Sequence, residues 1–573
     1  MAEGWDYDAS FQYGIVNLSD TYLNDVSTTK IGYALDVIDV AGVPTCQVVA
    51  NGVQSGLGLG CVPWNIFTPG AVSKAATNYI DTPGDIRGKI TQTIVNANFT
   101  GDLGQYGLQL PSASSGLKIN FGAEYRDEKS FSQPDAEFVT GDLAGQGGPQ
   151  PAISGGVVSR DAFLEARMPF AEEKFLAKEL SADVSYRYSS YSLGFNTNTF
   201  SLGLDWQPVQ DVRLRGSFAR AVRAPNIVEL YNPNSVALDG TIDPCAGAAP
   251  AASAAQCARS GVTGAEYGHV LANSAAQYNG LTGGNTGLAP ETALTSSIGI
   301  GFTPSFVPNF RAQFDYYDIK IENVIETIGA NTIITECVNA DLFCNDVHRN
   351  AIGSLWIGNT GYIIDSLANV GQLHERGIDA DVSYALDVGA AGKVRLNMVG
   401  TYLDLYDVTP IEALSAKTSY NCAGLYGPAC SSTTEGAGTP VFRWRHTFRA
   451  TWETPWQGLD VSFAWRYYSG VKLEQLSANP NLAGEVAAGS TIANGGISNT
   501  DAYISSYNYF DITASMNLTD KITFRLGVNN ILDKDPPIIG TTNLPGTSGN
   551  GNTFPQTYDA LGRFVFAQLS AKF

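Results

Sequence analysis

The chain of 573 residues is acidic, and its composition limits the functions it can have. It carries 34 Lys and Arg against 55 Asp and Glu, which gives a net charge of −21. Phosphate recognition needs clustered basic residues, so the composition argues against nucleic acid as a partner. Aromatic residues make up 11% of the chain and Gly occupies 61 positions, a balance that favours many strands joined by Gly-rich turns.

The sequence predicts strands from its first residues. The opening segment, MAEGWDYDASFQYG, has no basic stretch, apolar core or cleavage site of the kind found in leaders, and aromatic residues alternate with polar ones from Trp5 onward. No stretch approaches the ~18 consecutive apolar residues of a membrane-spanning helix. A membrane role therefore requires strands.

Segments with period-two alternation recur along the chain. The clearest examples are residues 117–126, 180–189, 212–219 and 510–518. Each is close to the ~9 to 11 residues of a tilted transmembrane strand. In residues 212–219, Arg213 and Arg215 lie in phase with small hydrophilic residues, whereas a sandwich core needs a dry inner face. We therefore predict an all-β transmembrane antiparallel barrel, with the apolar face toward lipid and the arginines toward a wet lumen. By the same parity Arg220 points outward, at the rim.

Aromatic residues near the predicted strand ends support a membrane barrel. Such residues form interfacial girdles at the two surfaces of a bilayer. They are Tyr188, Trp206, Tyr402, Trp452, Trp465 and Tyr467.

The segments amount to roughly sixteen strands, and their connections alternate in length. Short turns are predicted at residues 206–212, 303–310, 386–394, 453–459 and 517–522. Long polar connections are predicted at residues 14–85, 129–157, 231–290, 323–372, 406–441, 471–505 and 533–562. Short turns opposite long extracellular loops are typical of outer-membrane barrels, and no repeated blade motif supports a propeller.

The eight cysteines form four pairs that are close in sequence. The pairs are Cys46 with Cys61, Cys245 with Cys257, Cys337 with Cys344, and Cys422 with Cys430. A metal site is the competing interpretation, but no CxxC spacing occurs and none of the four histidines completes a ligand set. We predict four disulfides, formed in an oxidising compartment, and all of them lie in the long connections.

Several motifs resemble those of TonB-dependent outer-membrane receptors. They are GCVPWNIFTPGAVSKAATNYI (residues 60–80), SFARAVRAPNIVELY (217–231), NVGQLHERGIDADVSY (369–384), GVNNILDKDPP (527–537) and the terminal RFVFAQLSAKF. The resemblance implies energy-dependent uptake of a scarce ligand, such as a siderophore, cobalamin or an oligosaccharide, across the outer membrane of a Gram-negative bacterium. It also implies outer-membrane lipid and a TonB-type energising complex of the inner membrane as partners.

The sequence also departs from this family. Its receptors carry a TonB box and a plug domain before a 22-stranded barrel, and neither precedes the predicted strands. We therefore expect residues 1–573 to be the C-terminal, partial barrel of a longer receptor, which meets the energising complex through a missing N-terminal region. Two alternatives stay open: a plugless barrel acting as a passive diffusion porin, and a secreted all-β ligand-binding protein.

Aromatic residues in the long connections, with three arginines, are the candidate ligand contacts. The aromatic residues are Trp64, Tyr79, Trp356, Tyr362, Tyr420, Tyr426 and Tyr503, and the arginines are Arg213, Arg215 and Arg223. The aromatic rings suit stacking on a sugar or an iron chelator, and the alternative is that they pack the loops on one another. No catalytic motif occurs, and His348 and His374 are expected to be solvated or hydrogen-bonded rather than ligands. The sequence therefore predicts no enzyme, cofactor or metal.

Overall fold

The computed structural model describes residues 4–52, 55–146, 148–411, 419–431, 438–456, 458–483, 501–540 and 551–572. Within these residues the chain is built mainly from strands, and 17 of them form one sheet. No helix in this part of the chain is long and apolar enough to cross a membrane.

The strands are numbered in chain order. They are β1 (Trp5–Tyr22), β2 (Val37–Val40), β3 (Val43–Cys46), β4 (Gly84–Asp102), β5 (Lys118–Pro134), β6 (Ile153–Lys174), β7 (Ala177–Tyr191), β8 (Asn196–Val209), β9 (Val212–Arg223), β10 (Ser235–Gly240), β11 (Tyr278–Thr282), β12 (Glu291–Phe302), β13 (Phe310–Glu326), β14 (Val347–His348), β15 (Tyr362–Ile364), β16 (Ala368–Asp387), β17 (Lys393–Thr409), β18 (Tyr420–Asn421), β19 (Leu425–Tyr426), β20 (Trp444–Glu453), β21 (Leu459–Tyr468), β22 (Val471–Leu473), β23 (Tyr503–Ile504), β24 (Tyr507–Thr519), β25 (Ile522–Asn529) and β26 (Phe564–Ala571).

The helices are short and lie in the connections. They are α1 (Thr28–Leu35), α2 (Gln47–Ala50), α3 (Lys74–Ile80), α4 (Ala136–Thr140), α5 (Ile227–Tyr231), α6 (Ala254–Arg259), α7 (Ala330–Ala340) and α8 (Pro480–Ala483).

Each long strand of the main sheet pairs antiparallel with the next long strand along the chain. The order is β1, β4, β5, β6, β7, β8, β9, β12, β13, β16, β17, β20, β21, β24, β25 and β26. The two-residue strand β18 extends the end of β17. Sixteen long strands are thus present, as predicted. In the described residues β1 pairs with β4 and β26 pairs with β25, so β1 and β26 are the edges of the sheet.

The connections alternate in length, with two exceptions, and define two ends of the sheet. At the short-turn end lie residues 175–176, 210–211, 303–309, 388–392, 520–521 and the described residues of 454–458, whereas the long-loop end carries every connection that contains a helix of the α series. The exceptions are the longer connection of residues 103–117 at the short-turn end and the short one of residues 192–195 at the long-loop end. The predicted boundaries of two loops are wrong. Strand β1 continues beyond residue 14 to Tyr22, and β5 continues beyond residue 129 to Pro134. Both keep pairing with β4 up to its long-loop end, where neither face of the sheet is strongly apolar.

The two faces of the sheet differ in chemistry. On the apolar face, Leu202 and Leu204 are half-exposed, and Arg220 lies at its long-loop end, where its guanidinium donates to the Asn198 carbonyl. On the polar face, hydroxyl pairs join neighbouring strands, as between Ser217 and Ser297, whose oxygens are 2.7 Å apart. This alternation confirms the predicted barrel wall.

Tryptophans at the short-turn end cap the turns. The indole of Trp206 donates to the Leu176 carbonyl at 2.8 Å, and that of Trp452 donates to the Ala391 carbonyl at 2.7 Å. Both rings lie on the apolar face, so each indole combines an apolar body with a polar contact to an exposed turn, as an interfacial residue requires.

The buried core lies in the loops rather than in the sheet. The first loop module comprises the described residues of 227–290 and 327–367, with a small sheet of β10, β11, β15 and β14 against α6 and α7. The second loop module comprises the described residues of 419–443, 469–506 and 530–563, with a small sheet of β19, β22 and β23. Sequence patterns predicted neither module.

All four predicted disulfides are present. The Cα separations are 6.2 Å for Cys46–Cys61, 5.6 Å for Cys245–Cys257, 4.7 Å for Cys337–Cys344 and 5.3 Å for Cys422–Cys430. Each bond closes a short segment of a connection at the long-loop end, and two of them lie in the first loop module. The disulfides restrict the conformations open to these loops.

Candidate functional site

Arg213 and Arg215 lie on the polar face near the short-turn end, and each is paired with a carboxylate. Arg213 Nε donates to Asp205 at 2.8 Å, and Arg215 Nη2 reaches Asp315 Oδ2 at 2.6 Å. Asp315 belongs to β13, and β12 lies between it and Arg215. Gly299 of β12 makes this contact possible, because a Cβ there would lie 2.0 Å from Asp315 Oδ1 and 2.8 Å from Arg215 Nε.

Arg213, Arg215 and Asp205 line a cavity of about 410 Å³ on the polar face. Arg311 and Gln313 of β13 also line it. The three guanidinium groups and the Asp205 carboxylate offer directed hydrogen bonds to a polar partner at this end of the sheet.

Arg223 is not brought together with the other two predicted arginines. It ends β9, and at ~3.4 Å per residue it lies about 30 Å along the strand from Arg213. Its guanidinium contacts Glu291 at 2.6 Å and Glu229 at 3.0 Å. Glu229 also forms a capping box with Asn226 at the start of α5. Arg223 therefore fixes the chain where it leaves the sheet for the first loop module.

A second cavity of about 510 Å³ opens on the polar face at the long-loop end. We call it the mouth cavity. It is lined by Ile90, Gln92, Arg126, Glu128, Ser130, Val157, Ser159, Tyr191 and residues 224–228. Arg126 is the basic residue of this lining, 3.1 Å from Glu124 and 3.6 Å from Glu128, and its side chain remains 42% exposed.

The mouth cavity could not be predicted from sequence because its walls come from four strands and the segment of residues 224–228, which meet only through pairing. Aliphatic side chains of Ile90, Val157 and Ile227 lie beside the charged pair of Arg126 and Glu128. The only local signal was the Pro-Asn pair at residues 225–226, which ends β9 and caps α5. A cavity that combines apolar walls with a few charges suits a small amphipathic ligand.

The predicted aromatic residues fall into three separate groups. In the connection between β1 and β4, the Trp64 backbone N–H donates to the Ala34 carbonyl and the Tyr79 hydroxyl donates to Leu57 at 2.6 Å. In the first loop module, the Trp356 indole donates to Leu271 at 2.9 Å. Tyr362 in the same module lies 5.2 Å, ring to ring, from His348.

The third group lies in or beside the second loop module. Tyr426 is fully buried and its ring packs 6.2 Å from that of Phe554, so it holds the loops together and offers no surface to a ligand. Tyr420 lies on β18 at the margin of this region. Tyr503 is 60% exposed. A ligand contact by the exposed members of these groups stays a prediction.

A carboxyl pair in the first loop module makes its stability depend on pH. Asp239 of β10 shares a hydrogen bond with Asp365, which is 2% exposed. A Cβ at Gly280 would lie 2.4 Å from Asp239 Oδ2, so this glycine makes room for the contact. Burial, and next the neighbouring Asp365, raise the pKa of Asp239 to about 7.

The raised pKa fixes the sign of the pH effect. The unfolded pKa of Asp is about 3.9, so the stability linked to Asp239 is fully present below about pH 4 and is lost as the pH rises toward about 7. We expect Asp239→Asn to flatten this dependence, measured as amide hydrogen exchange of peptides from residues 227–367. Asp341→Asn, at an exposed helix end of the same module, is the control and should keep the wild-type dependence. An unchanged profile for Asp239→Asn would contradict the assignment.

In the described residues, no group of three or more His, Cys, Asp or Glu side chains could hold a metal ion. His348 lies at the surface of the first loop module, and His374 contacts Asp318 at 3.1 Å. Neither histidine lines the mouth cavity.

Known proteins share the fold of this chain. The siderophore receptor PirA from Acinetobacter baumannii is similar at 17% identity over 86% of this chain and 56% of its own, with a TM-score of 0.51. A variant of the ferric enterobactin receptor PfeA from Pseudomonas aeruginosa is similar at 15% identity over 100% of this chain and 60% of its own, with a TM-score of 0.53. The chain thus spans less than two thirds of their lengths.

A search of curated protein sequences found no match. The family model described as TonB dependent receptor-like, beta-barrel matches residues 2–531. This match covers most of the chain and agrees with the antiparallel sheet and its alternating connections. The chain therefore belongs to the TonB dependent receptor-like beta-barrel family.

Proposed function

We propose that the protein forms the barrel wall of a receptor in the outer membrane of a Gram-negative bacterium, and that it takes up a scarce small molecule of the iron-chelator class. The observation that carries this proposal is the sheet itself, with one apolar face, one ion-paired polar face, and folded loops at one end. The apolar face meets lipid and the polar face lines the lumen. The neighbours named as siderophore and ferric enterobactin receptors favour the ligand class.

The orientation follows from the connections. Short turns face the periplasm in barrels of this kind, and long loops face outward. The four disulfides all lie at the long-loop end, which agrees with an oxidising environment on that side of the membrane. The loop modules therefore stand at the cell surface, where a ligand arrives.

The mouth cavity is our candidate for ligand entry. It lies below the first loop module, where residues 224–228 form part of its lining. Its aliphatic side chains suit the body of an organic chelator, and the guanidinium of Arg126 suits a negative group on it. Passage through the lumen requires energy from an inner-membrane complex of the TonB type, which is the partner that we infer for the whole receptor.

Uptake by cells that express the whole receptor tests the proposal. We expect saturable, energy-dependent uptake of a ferric catecholate chelate, and none of cobalamin or an oligosaccharide. Arg126→Gln should raise the half-saturating concentration about tenfold or more, because a hydrogen bond to a charged group contributes about 1.5–3 kcal/mol. Arg525→Gln, the same change on the polar face of β25, is the matched control. Unsaturable uptake that needs no energy would favour a diffusion porin and contradict the proposal.

A further inference from the structure

Four basic residues lie on the apolar face of β4, β5 and β6, toward the long-loop end. They are Arg87, Lys89, Lys129 and Arg160, and we call them the basic patch. The registers place these side chains on one face: Thr91 pairs with Lys129, and Lys89 pairs with Phe131. Arg160 pairs with Tyr125 and lies nearest the apolar residues. Such a patch is unexpected in a chain with a net charge of −21.

The basic side chains of this patch have fewer carboxylate partners than other basic side chains near the long-loop end of the same face. Elsewhere on this face, Lys320 contacts Glu322 at 2.8 Å and Arg376 contacts Asp404 at 2.6 Å. Lys129 contacts Asp127 at 2.8 Å but remains 67% exposed. Among the described residues, Arg87, Lys89 and Arg160 form no ion pair within 4.0 Å.

The acidic residues on this stretch of the face are Asp127 and Asp85. Asp127 is the partner of Lys129, and Asp85 accepts a hydrogen bond from the Thr21 hydroxyl at 2.7 Å. Four basic residues therefore face two acidic ones, and the surface keeps a net positive charge. An anion that reaches it meets ammonium and guanidinium groups that protein carboxylates have not neutralised.

A groove of about 590 Å³ runs through the patch. Lys89, Lys129, Asp127 and Phe131 line it, and Ser154 and Gly156 of β6 form part of its floor. The absence of a side chain at Gly156 keeps the floor open, because a Cβ there would lie 3.0 Å from Lys129 Cγ.

The patch continues directly into the apolar face. Toward the short-turn end, these strands and β1 expose Phe11, Val95, Phe121 and Leu164, with exposed fractions of 71%, 45%, 40% and 49%. Val95 pairs with Tyr125, which pairs with Arg160, and Asp127 lies between Tyr125 and Lys129 along β5. The basic groups therefore begin at the level of Val95 and Tyr125, whereas Phe121 and Leu164 lie nearer the short-turn end, an arrangement that matches the phosphate and acyl chains of a lipid.

We propose that the groove binds the phosphate-bearing headgroup of an anionic lipid of the outer leaflet, with the acyl chains against Phe11, Val95 and Phe121. Lys89 and Lys129 contact the phosphate, and Arg87 and Arg160 extend the positive surface on either side. The inference rests on the proposed function, since it requires this face to meet a membrane. A lipid rather than a free anion is favoured because the basic groups and the apolar side chains form one continuous surface.

Binding of a bisphosphorylated glycolipid, lipid A, to the purified full chain in neutral detergent tests the site. Each basic residue near a membrane surface contributes about fivefold in affinity, so we expect the double variant Lys89→Gln with Lys129→Gln to bind about 30-fold more weakly. Lys320→Gln, which removes a neutralised lysine on the same face, should bind within twofold of wild type. Strand content by circular dichroism shows whether each variant is folded.

Three outcomes would overturn the lipid site. They are equal binding by the folded double variant, equal binding of an uncharged diacylglycerol, and full competition by inorganic phosphate at the same concentration as the lipid. If one of these outcomes is found while the protein is still recovered from membranes, the lipid site is wrong and the proposed function is unaffected. A chain that stays soluble without detergent would overturn the proposed function and this inference together.

Discussion

Replacement of Ala514 by arginine is expected to lower the free energy of unfolding by about 2–4 kcal/mol. Ala514 lies in the middle of β24 on the apolar face, opposite Val461 of β21 and Leu526 of β25. If this face meets the hydrocarbon core, the guanidinium has no water or carboxylate within reach, and its desolvation carries the cost. Denaturant titration of the protein in lipid bilayers measures the change.

The neighbouring residue provides a matched control. Thr513 lies on the polar face, opposite Ser462 and Gly527. Thr513→Arg introduces the same charge one residue away, and we expect it to cost less than about 1 kcal/mol because the lumen is wet. Equal effects of the two substitutions would contradict the assignment of the faces.

Asp243→Asn is expected to destabilise the first loop module by about 3–5 kcal/mol, because it leaves a buried guanidinium without its counter-charge. Asp243 and Arg349 are 2.7 Å apart, and their side chains are 1% and 3% exposed. Arg349 also donates to the Ser260 carbonyl at 3.1 Å, so this residue joins the connection of residues 327–367 to that of residues 227–290. The barrel strands should keep their stability.

Hydrogen exchange of the full chain distinguishes the stability of the first loop module from that of the barrel strands. Peptides from residues 227–367 should exchange faster in Asp243→Asn, while peptides from β5 to β8 should not change. Asp533→Asn is the control, because its pair with Arg563 is 3.8 Å long and about half-exposed, and such pairs contribute less than about 1 kcal/mol. Wild-type protection of residues 227–367 in Asp243→Asn would show that the ion pair does not hold this module.

The sheet could be predicted from sequence because the side chains of a strand alternate between its faces. The alternation in residues 212–219 correctly placed Arg213 and Arg215 on the polar face, and parity correctly placed Arg220 on the other. The cysteine pairs were also predictable, since each partner lies within a short segment of chain. Local patterns carry these features, so no tertiary contact was needed to see them.

The loop modules and the cavities could not be predicted, because they depend on contacts between distant segments. Buried Tyr426 and exposed Tyr503 each lie between one branched aliphatic and one small residue in sequence, and only the packing against Phe554 distinguishes them. The role of Gly299 depends on Asp315 two strands away from Arg215. The basic patch likewise appears only when the register brings Lys89 beside Lys129.

The central claim is that the sheet spans the outer membrane with its apolar face toward lipid. Separation of inner and outer membranes from cells that express the full chain, followed by extraction with and without detergent, tests it most directly. The account predicts that the intact protein is recovered in the outer-membrane fraction and is released only by detergent. Recovery of the intact, folded protein in a soluble fraction without detergent would contradict it.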